Sequence, residues 1–125
     1  MRVVDTSAWI EWLMDTPTAE AISAALPARE HWLVPTIVQL ELAKWVRREA
    51  SSERANEVIA FSQKCIVIPL DTNMALAAAT LCGAHKLPTA DSVVYATALA
   101  HKAELLTCDA RFEALPHVTY IAKKP

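Results

Sequence analysis

Short apolar segments alternate with longer helical segments along the whole chain, and this alternation limits the possible folds more than any other feature. The predicted strands are 2–4, 32–34, 66–68, 104–108 and 118–121. The predicted helices are 8–14, 18–26, 36–50, 52–63, 72–85 and 89–103. Strands that are separated by helices are joined by crossovers, which favours an α/β fold with a mostly parallel sheet covered on both faces. Ligands of such sheets bind at the carboxyl ends of the strands.

The length and the apolar content predict one domain, 1–125. With 125 residues and 54% hydrophobic content, the chain can bury one sizeable core. The start of the chain lacks the features of a signal peptide. The longest apolar stretch, Met74 to Ala84, is shorter than the roughly 20 residues that a membrane span needs. We therefore expect a soluble cytoplasmic protein without a membrane partner.

Several common kinds of site are disfavoured. Gly83 is the only glycine, which excludes a P-loop and a dinucleotide-binding fingerprint. The three cysteines are far apart and odd in number, so we expect them to be reduced core residues. The four histidines lack the spacing of a zinc site. A net charge of −2 predicts that any nucleic-acid contact is local or metal-assisted.

Asp5, Glu41, Asp91 and Asp109 each interrupt a mostly apolar stretch. A carboxylate removed from water costs several kcal/mol unless it is paired or bound to a metal. Two of these acids follow predicted strands and two lie in helices, so they can converge on one cleft. Because hard oxygen ligands suit Mg²⁺ or Mn²⁺, the acids predict a metal-dependent hydrolase.

Each acid also has a simpler explanation. Glu41 could pair with Lys44 one helical turn later, and Asp91 is favourable in the first turn of a helix. Asp5 and Asp109 could cap turns after their strands. The shared site is preferred because four independent caps have no reason to converge.

Two hydroxyl side chains next to the acids, those of Ser7 and Thr107, are candidates to support the metal site. The alternatives are that Ser7 caps the first helix and that Thr107 is a β-branched strand residue.

Four segments resemble the motifs of the PIN domain, most closely those of VapC-like toxins. They are Val3–Ser7, Leu40–Leu42, Thr89–Leu99 and Leu105–Phe112. The resemblance implies a three-layer α/β/α domain with a mainly parallel central sheet and an Mg²⁺- or Mn²⁺-dependent endoribonuclease site.

The resemblance also assigns roles and partners. Asp5 and Asp91 are expected to bind the metal directly, and Glu41 and Asp109 to act directly or through water on the nucleophile. The substrate is expected to be RNA, with transfer RNA as a candidate. The expected partners are a VapB-like antitoxin, whose carboxyl-terminal segment fills the groove near the acids, and a second copy of the chain in a homodimer.

One position departs from the family pattern. Many relatives have a basic residue immediately before the fourth acid, and this chain has Cys108 there. Four basic residues on the helices that carry Glu41 and Asp91 could hold the RNA backbone instead, or could form a solvated face. They are Lys44, Arg47, Arg48 and Lys102.

The four tryptophans, Trp9, Trp12, Trp32 and Trp45, lie in the first half of the chain. Core packing is the default explanation, and a groove for a partner helix is the alternative.

Other functions are less well supported. A haloacid-dehalogenase-type phosphatase needs a second acid two residues after Asp5, where Ser7 stands. A receiver domain needs an acidic pair and a late lysine, and neither is clear. A catalytically silent PIN-like binding module and a PIN nuclease of RNA maturation stay open as alternatives.

Overall fold

Five parallel strands form the central sheet of the computed structural model, which describes all 125 residues. The strands are β1 (Arg2–Val4), β2 (Trp32–Pro35), β3 (Ile66–Ile68), β4 (Glu104–Thr107) and β5 (Val118–Tyr120). Their order in the sheet is β3-β2-β1-β4-β5, with every neighbouring pair parallel. The predicted α/β class and parallel sheet are therefore confirmed.

Six helices connect the strands and cover the sheet to give the three-layer α/β/α arrangement. They are α1 (Thr6–Leu13), α2 (Ala19–Ala25), α3 (Thr36–Glu49), α4 (Ser52–Ser62), α5 (Thr72–His85) and α6 (Thr89–Ala100). None of these helices is both long enough and apolar enough to cross a membrane.

Two helix boundaries differ from the predicted ones by more than one residue. α1 begins at Thr6, two residues early, because Asp5 occupies the extended N-cap position. α6 ends at Ala100, and Lys102 adopts the left-handed conformation with φ 51°, which a continuing helix does not allow. The predicted helix to Ala103 was therefore three residues too long.

The central strands lie in a core of 22 buried residues. Val3, Leu33 and Leu105 are completely buried on neighbouring strands. Burial of each such side chain contributes about 1.5–3 kcal/mol relative to exposure, which explains why the strands are apolar without alternation. The core therefore fixes the edge of the sheet at which the polar residues emerge.

The cysteines only partly match the prediction. All three are free, but Cys108 alone is buried, whereas Cys65 and Cys82 are half-buried. Cys65 nevertheless packs against the core, so the expectation of a core position was wrong for Cys82 alone.

Candidate functional site

Asp5 is the centre of the candidate site. It follows β1, and only 4% of its surface is exposed. Its carboxylate oxygen Oδ2 accepts hydrogen bonds from Ser7 Oγ and from Thr107 Oγ1, both at 2.8 Å. Because both hydroxyls converge on one oxygen, Oδ1 is left open to another ligand. Asp5 occupies the N-cap position of α1 but makes no side-chain cap hydrogen bond.

The same two hydroxyls join α1 to the loop after β4. Ser7 Oγ accepts a hydrogen bond from the Cys108 backbone N–H at 3.0 Å. Thr107 Oγ1 accepts one from the Asp109 N–H at 2.9 Å. Ser7 lies inside the first turn of α1, so the alternative in which it caps that helix is wrong. Both side chains instead fix Asp5 relative to Asp109.

Glu41 is held by a contact that the sequence did not predict. Thr6 Oγ1 donates a hydrogen bond to Glu41 Oε1 at 2.7 Å, across 35 positions of sequence. No ion pair joins Glu41 to Lys44, so the simple helical pair is not formed. Glu41 is thereby tied to the residue that follows Asp5.

Asp91 and Asp109 share a cation, Arg111, that the sequence reasoning missed. Its guanidinium Nη1 lies 3.4 Å from Asp91 Oδ2 and 3.4 Å from Asp109 Oδ2. Asp109 Oδ1 also accepts a hydrogen bond from the Arg111 backbone N–H at 2.9 Å and so caps a 3₁₀ turn at Ala110–Phe112. The spacing of an acid and an arginine two residues apart was the available signal.

The electrostatics tie the four acids into one cluster. Burial raises the pKa of Asp5 to about 6; the Ser7 and Thr107 hydrogen bonds oppose this rise, and the charges of Asp91 and Glu41 add to it. Burial, followed by the charges of Asp109 and Glu41, raises the pKa of Asp91, while Arg111 lowers it. A bound cation would relieve this mutual repulsion.

The residues fit a hard divalent cation by their chemistry. The donors are carboxylate and hydroxyl oxygens, the ligands that Mg²⁺ and Mn²⁺ prefer. One cation, the Arg111 guanidinium, already bridges two of the acids. The side chains do not form a group of three or more that is arranged for metal coordination. Binding would therefore require Arg111 and the acids to adjust.

Three of the four predicted basic residues line two adjacent clefts. Lys44 and Arg48 line a cleft of about 200 Å³ together with Thr6, Trp45 and one of the acids, Glu41. Arg47 lines an adjacent surface cleft of about 460 Å³ with Lys44 and Arg48.

Lys102 lies elsewhere. It stands between the end of α6 and the start of β4, whereas Asp109 follows the end of β4. It therefore lies at the amino-terminal ends of the strands, whereas the acids lie at the carboxyl-terminal ends.

Replacing Thr107 with valine tests the hydroxyl support of Asp5. We expect metal affinity to fall about 10- to 100-fold, as for other residues that orient metal ligands, because Asp5 Oδ2 and the Asp109 N–H both lose a partner. Calorimetric titration with Mn²⁺ measures the effect. Thr119→Val, the same change on β5, is the matched control and should bind Mn²⁺ like the wild type. Equal affinity of Thr107→Val and wild type would contradict the role of this hydroxyl.

Comparison with known proteins gives a consistent family and fold. The model of the PIN domain family matches residues 2–118. A toxin–antitoxin complex from Klebsiella pneumoniae is similar with a TM-score of 0.84 and 20% identity, over 99% of this chain and 100% of that one. VapC20 of Mycobacterium tuberculosis, described as a sarcin-ricin loop cleaving toxin, is similar with a TM-score of 0.75 and 16% identity over 100% of both chains.

A third similar structure is VapBC2 from Rickettsia felis, solved with a DNA fragment from the promoter of the pair. Its TM-score is 0.74 and its identity 15%, over 98% of both chains. No curated protein matches the chain by sequence. Identities at this level show the fold alone.

Proposed function

Because this chain belongs to the PIN domain family, we propose that it is a metal-dependent endoribonuclease, the toxin of a VapBC-type toxin–antitoxin pair. The observation that carries the proposal is the electrostatic cluster of Asp5, Glu41, Asp91 and Asp109 around a buried, hydroxyl-supported Asp5. The similar toxins of known structure, among them a toxin described as cleaving the sarcin-ricin loop, support the biological role.

The proposed cofactor is Mg²⁺ or Mn²⁺, held directly by Asp5 and Asp91. When bound, such a cation lowers the pKa of a water ligand and offsets negative charge on the phosphodiester. Asp5 offers Oδ1 because Ser7 and Thr107 occupy Oδ2. Glu41 and Asp109 orient the attacking water and accept its proton, directly or through a second water.

Cleavage of RNA is the direct test. Purified protein should cleave total RNA or transfer RNA in Mg²⁺ or Mn²⁺ and should be inactive in EDTA. No cleavage in either metal, by folded protein free of antitoxin, would contradict the nuclease and favour a silent binding module. Because all four acids are present, we give that module second place.

We propose that Lys44, Arg47 and Arg48 contact the RNA backbone on the Glu41 side of the site. Lys44 and Arg48 share a cleft with Glu41, and Arg47 lines the adjacent cleft. Lysine and arginine neutralise phosphates. Lys102 is not included because it lies at the amino-terminal ends of the strands, away from the acids. Arg48→Ala should weaken RNA binding and reduce its salt dependence, as measured by fluorescence anisotropy; an unchanged salt dependence would contradict the contact.

The cognate VapB-like antitoxin is proposed to contact the aromatic cluster between α1 and α4. Trp9, Trp12, Trp32 and Phe61 pack with ring centroids 4.7–6.0 Å apart. Trp9 and Trp32 are buried, as core packing predicts, whereas Trp12 and Trp45 are partly exposed.

A cavity of about 190 Å³ opens beside this cluster. Indole side chains are strong interface anchors, so tryptophan fluorescence should change when the antitoxin is added. An unchanged spectrum would count against this surface.

The chain is also proposed to form a homodimer through α5. This helix is rich in alanine and leucine, yet Ala78 is its only buried residue, and Leu76 is 65% exposed. An exposed apolar surface of this kind marks an interaction site, and a second copy of the chain would bury it. Light scattering should give about twice the 13.7 kDa of one chain, and Leu76→Asp should give the monomer. A wild-type monomer would contradict the dimer.

A further inference from the structure

A second cleft, of about 570 Å³, opens on the Asp109 side of the acids. The proposed mechanism does not use it. Its walls include Ser7, Asp109 and Arg111 from the site, and Tyr120 and Lys123 from the end of the chain. Because the site and the cleft share these residues, one extended ligand can occupy the cleft and reach the acids.

The chain end that forms one wall of this cleft is anchored on both sides of Lys123. The Ile121 N–H donates to the Thr107 carbonyl at 2.9 Å, which extends the pairing of β4 and β5. The Lys124 N–H donates to Thr18 Oγ1 at 2.9 Å, and Thr18 is completely buried. Hydrogen bonds on both sides therefore fix the backbone of Lys123 near Tyr120.

The wall combines cations with an aromatic ring. Arg111 has a side chain that is 63% exposed, and Lys123 is exposed as well. Tyr120 is partly buried and lines the cleft. Arginine and lysine bind phosphate, and bases of any sequence stack on aromatic rings. Cys108, which also borders the cleft, is buried, so the cations on this side come from Arg111 and Lys123.

The sheet order places the two basic clefts on opposite sides of Asp5. Glu41 and its neighbours follow β2, whereas Asp109 and the chain end follow β4 and β5, and β1 with Asp5 lies between β2 and β4. An RNA strand that runs from one cleft across the acids therefore reaches the other cleft.

We propose that the cleft at Tyr120 and Lys123 binds single-stranded RNA on one side of the scissile phosphodiester. A base stacks on Tyr120, and Lys123 and Arg111 contact the adjoining phosphates. This inference rests on the proposed ribonuclease function. It adds a nucleotide-binding position that the four acids and the α3 basic residues do not supply.

Binding of a fluorescein-labelled decamer of adenosine in EDTA, followed by anisotropy, tests the cleft without cleavage. Tyr120→Leu should weaken binding about 5- to 160-fold through the loss of stacking. Tyr120→Phe keeps the ring and should bind within about twofold of the wild type, which separates stacking from a folding defect. Lys123→Ala should reduce the slope of log K against log salt concentration by about 0.7, the value for one phosphate contact to a single strand.

Lys64→Ala is the matched control for Lys123→Ala. Lys64 is exposed and precedes β3, at the opposite edge of the sheet, so its removal should leave the salt slope unchanged. If Tyr120→Leu and Lys123→Ala bind the decamer like the wild type, the proposal is wrong. A glutamate-rich peptide is the second probe. If peptide binding depends on Tyr120 and Lys123 and decamer binding does not, the cleft binds protein and the proposal also fails.

Cleavage assays on the same variants separate this inference from the proposed function. Decamer binding that depends on Tyr120 and Lys123, without cleavage in Mg²⁺ or Mn²⁺, supports the cleft and contradicts the ribonuclease. Metal-dependent cleavage, combined with decamer binding that is indifferent to both residues, supports the ribonuclease and overturns the cleft.

Discussion

Asp91→Asn should lower the rate of metal-dependent RNA cleavage at least about 1000-fold and leave the fold intact. The substitution removes one of the two proposed metal ligands, and the several kcal/mol of transition-state stabilisation that a bound metal supplies correspond to a factor of this size. Stability should be unchanged or higher, because burial and the charge of Asp109 raise the pKa of Asp91, which marks its carboxylate as unfavourable in the metal-free protein.

Single-turnover cleavage and urea denaturation of the same preparation measure the two effects together. Asp71→Asn is the matched control. Asp71 is exposed at the N-cap of α5, where its side chain accepts a hydrogen bond from the Met74 N–H at 2.9 Å, and asparagine caps helices equally well. The control should cleave RNA like the wild type. A fully active Asp91→Asn protein would rule out the proposed mechanism, and an unfolded one would show that Asp91 is needed for the structure.

The approach of Asp5 and Asp109 was predictable because the sheet is parallel. All carboxyl ends of parallel strands lie at one edge, so Asp5 and Asp109, which follow β1 and β4, had to approach each other. Asp91 was recognised because the helix around it is apolar on most sides, which makes an isolated carboxylate costly. The parallel sheet and the cost of burial therefore sufficed to predict that these acids lie near one another.

The contacts within the site were not predictable in the same way. Thr6 reaches Glu41 across 35 positions, and Arg111 reaches Asp91 across 20, so both depend on how helices and loops pack on the sheet. The bridging position of Arg111 also requires the 3₁₀ turn that Asp109 caps. Local sequence patterns carry no information on such long-range distances.

Lys102 shows where helical periodicity misleads. A stripe from Asp91 through Tyr95 and Ala98 places Lys102 on the same helical face as Asp91. Eleven residues of helix would still separate the two by about 16 Å along the axis, and α6 in fact ends at Ala100. A shared face is therefore not a shared location.

Asp5→Asn should make the metal-free protein more stable at pH 7, by up to about 3 kcal/mol, because the pKa of Asp5 is raised from 3.8 to about 6. The folded protein holds a proton on Asp5 between these two values, whereas the unfolded chain has lost it. Stability contributed by the protonated form is therefore present below pH 4, falls as the pH rises to about 6, and is absent above it. Asparagine keeps an oxygen that accepts the Ser7 and Thr107 hydrogen bonds and carries no charge.

Urea denaturation in EDTA between pH 4 and pH 8 measures this contribution as the difference between wild type and Asp5→Asn, which cancels the titration of all other groups. The free energy of unfolding of the variant, relative to that of the wild type, should increase as the pH rises through 4–6 and stay constant above that range. Added Mn²⁺ should reverse the order, because a cation that binds only the folded wild type stabilises it by mass action and relieves the charge on Asp5. If the difference in stability is independent of pH, Asp5 titrates normally and is not the buried ligand that the site requires.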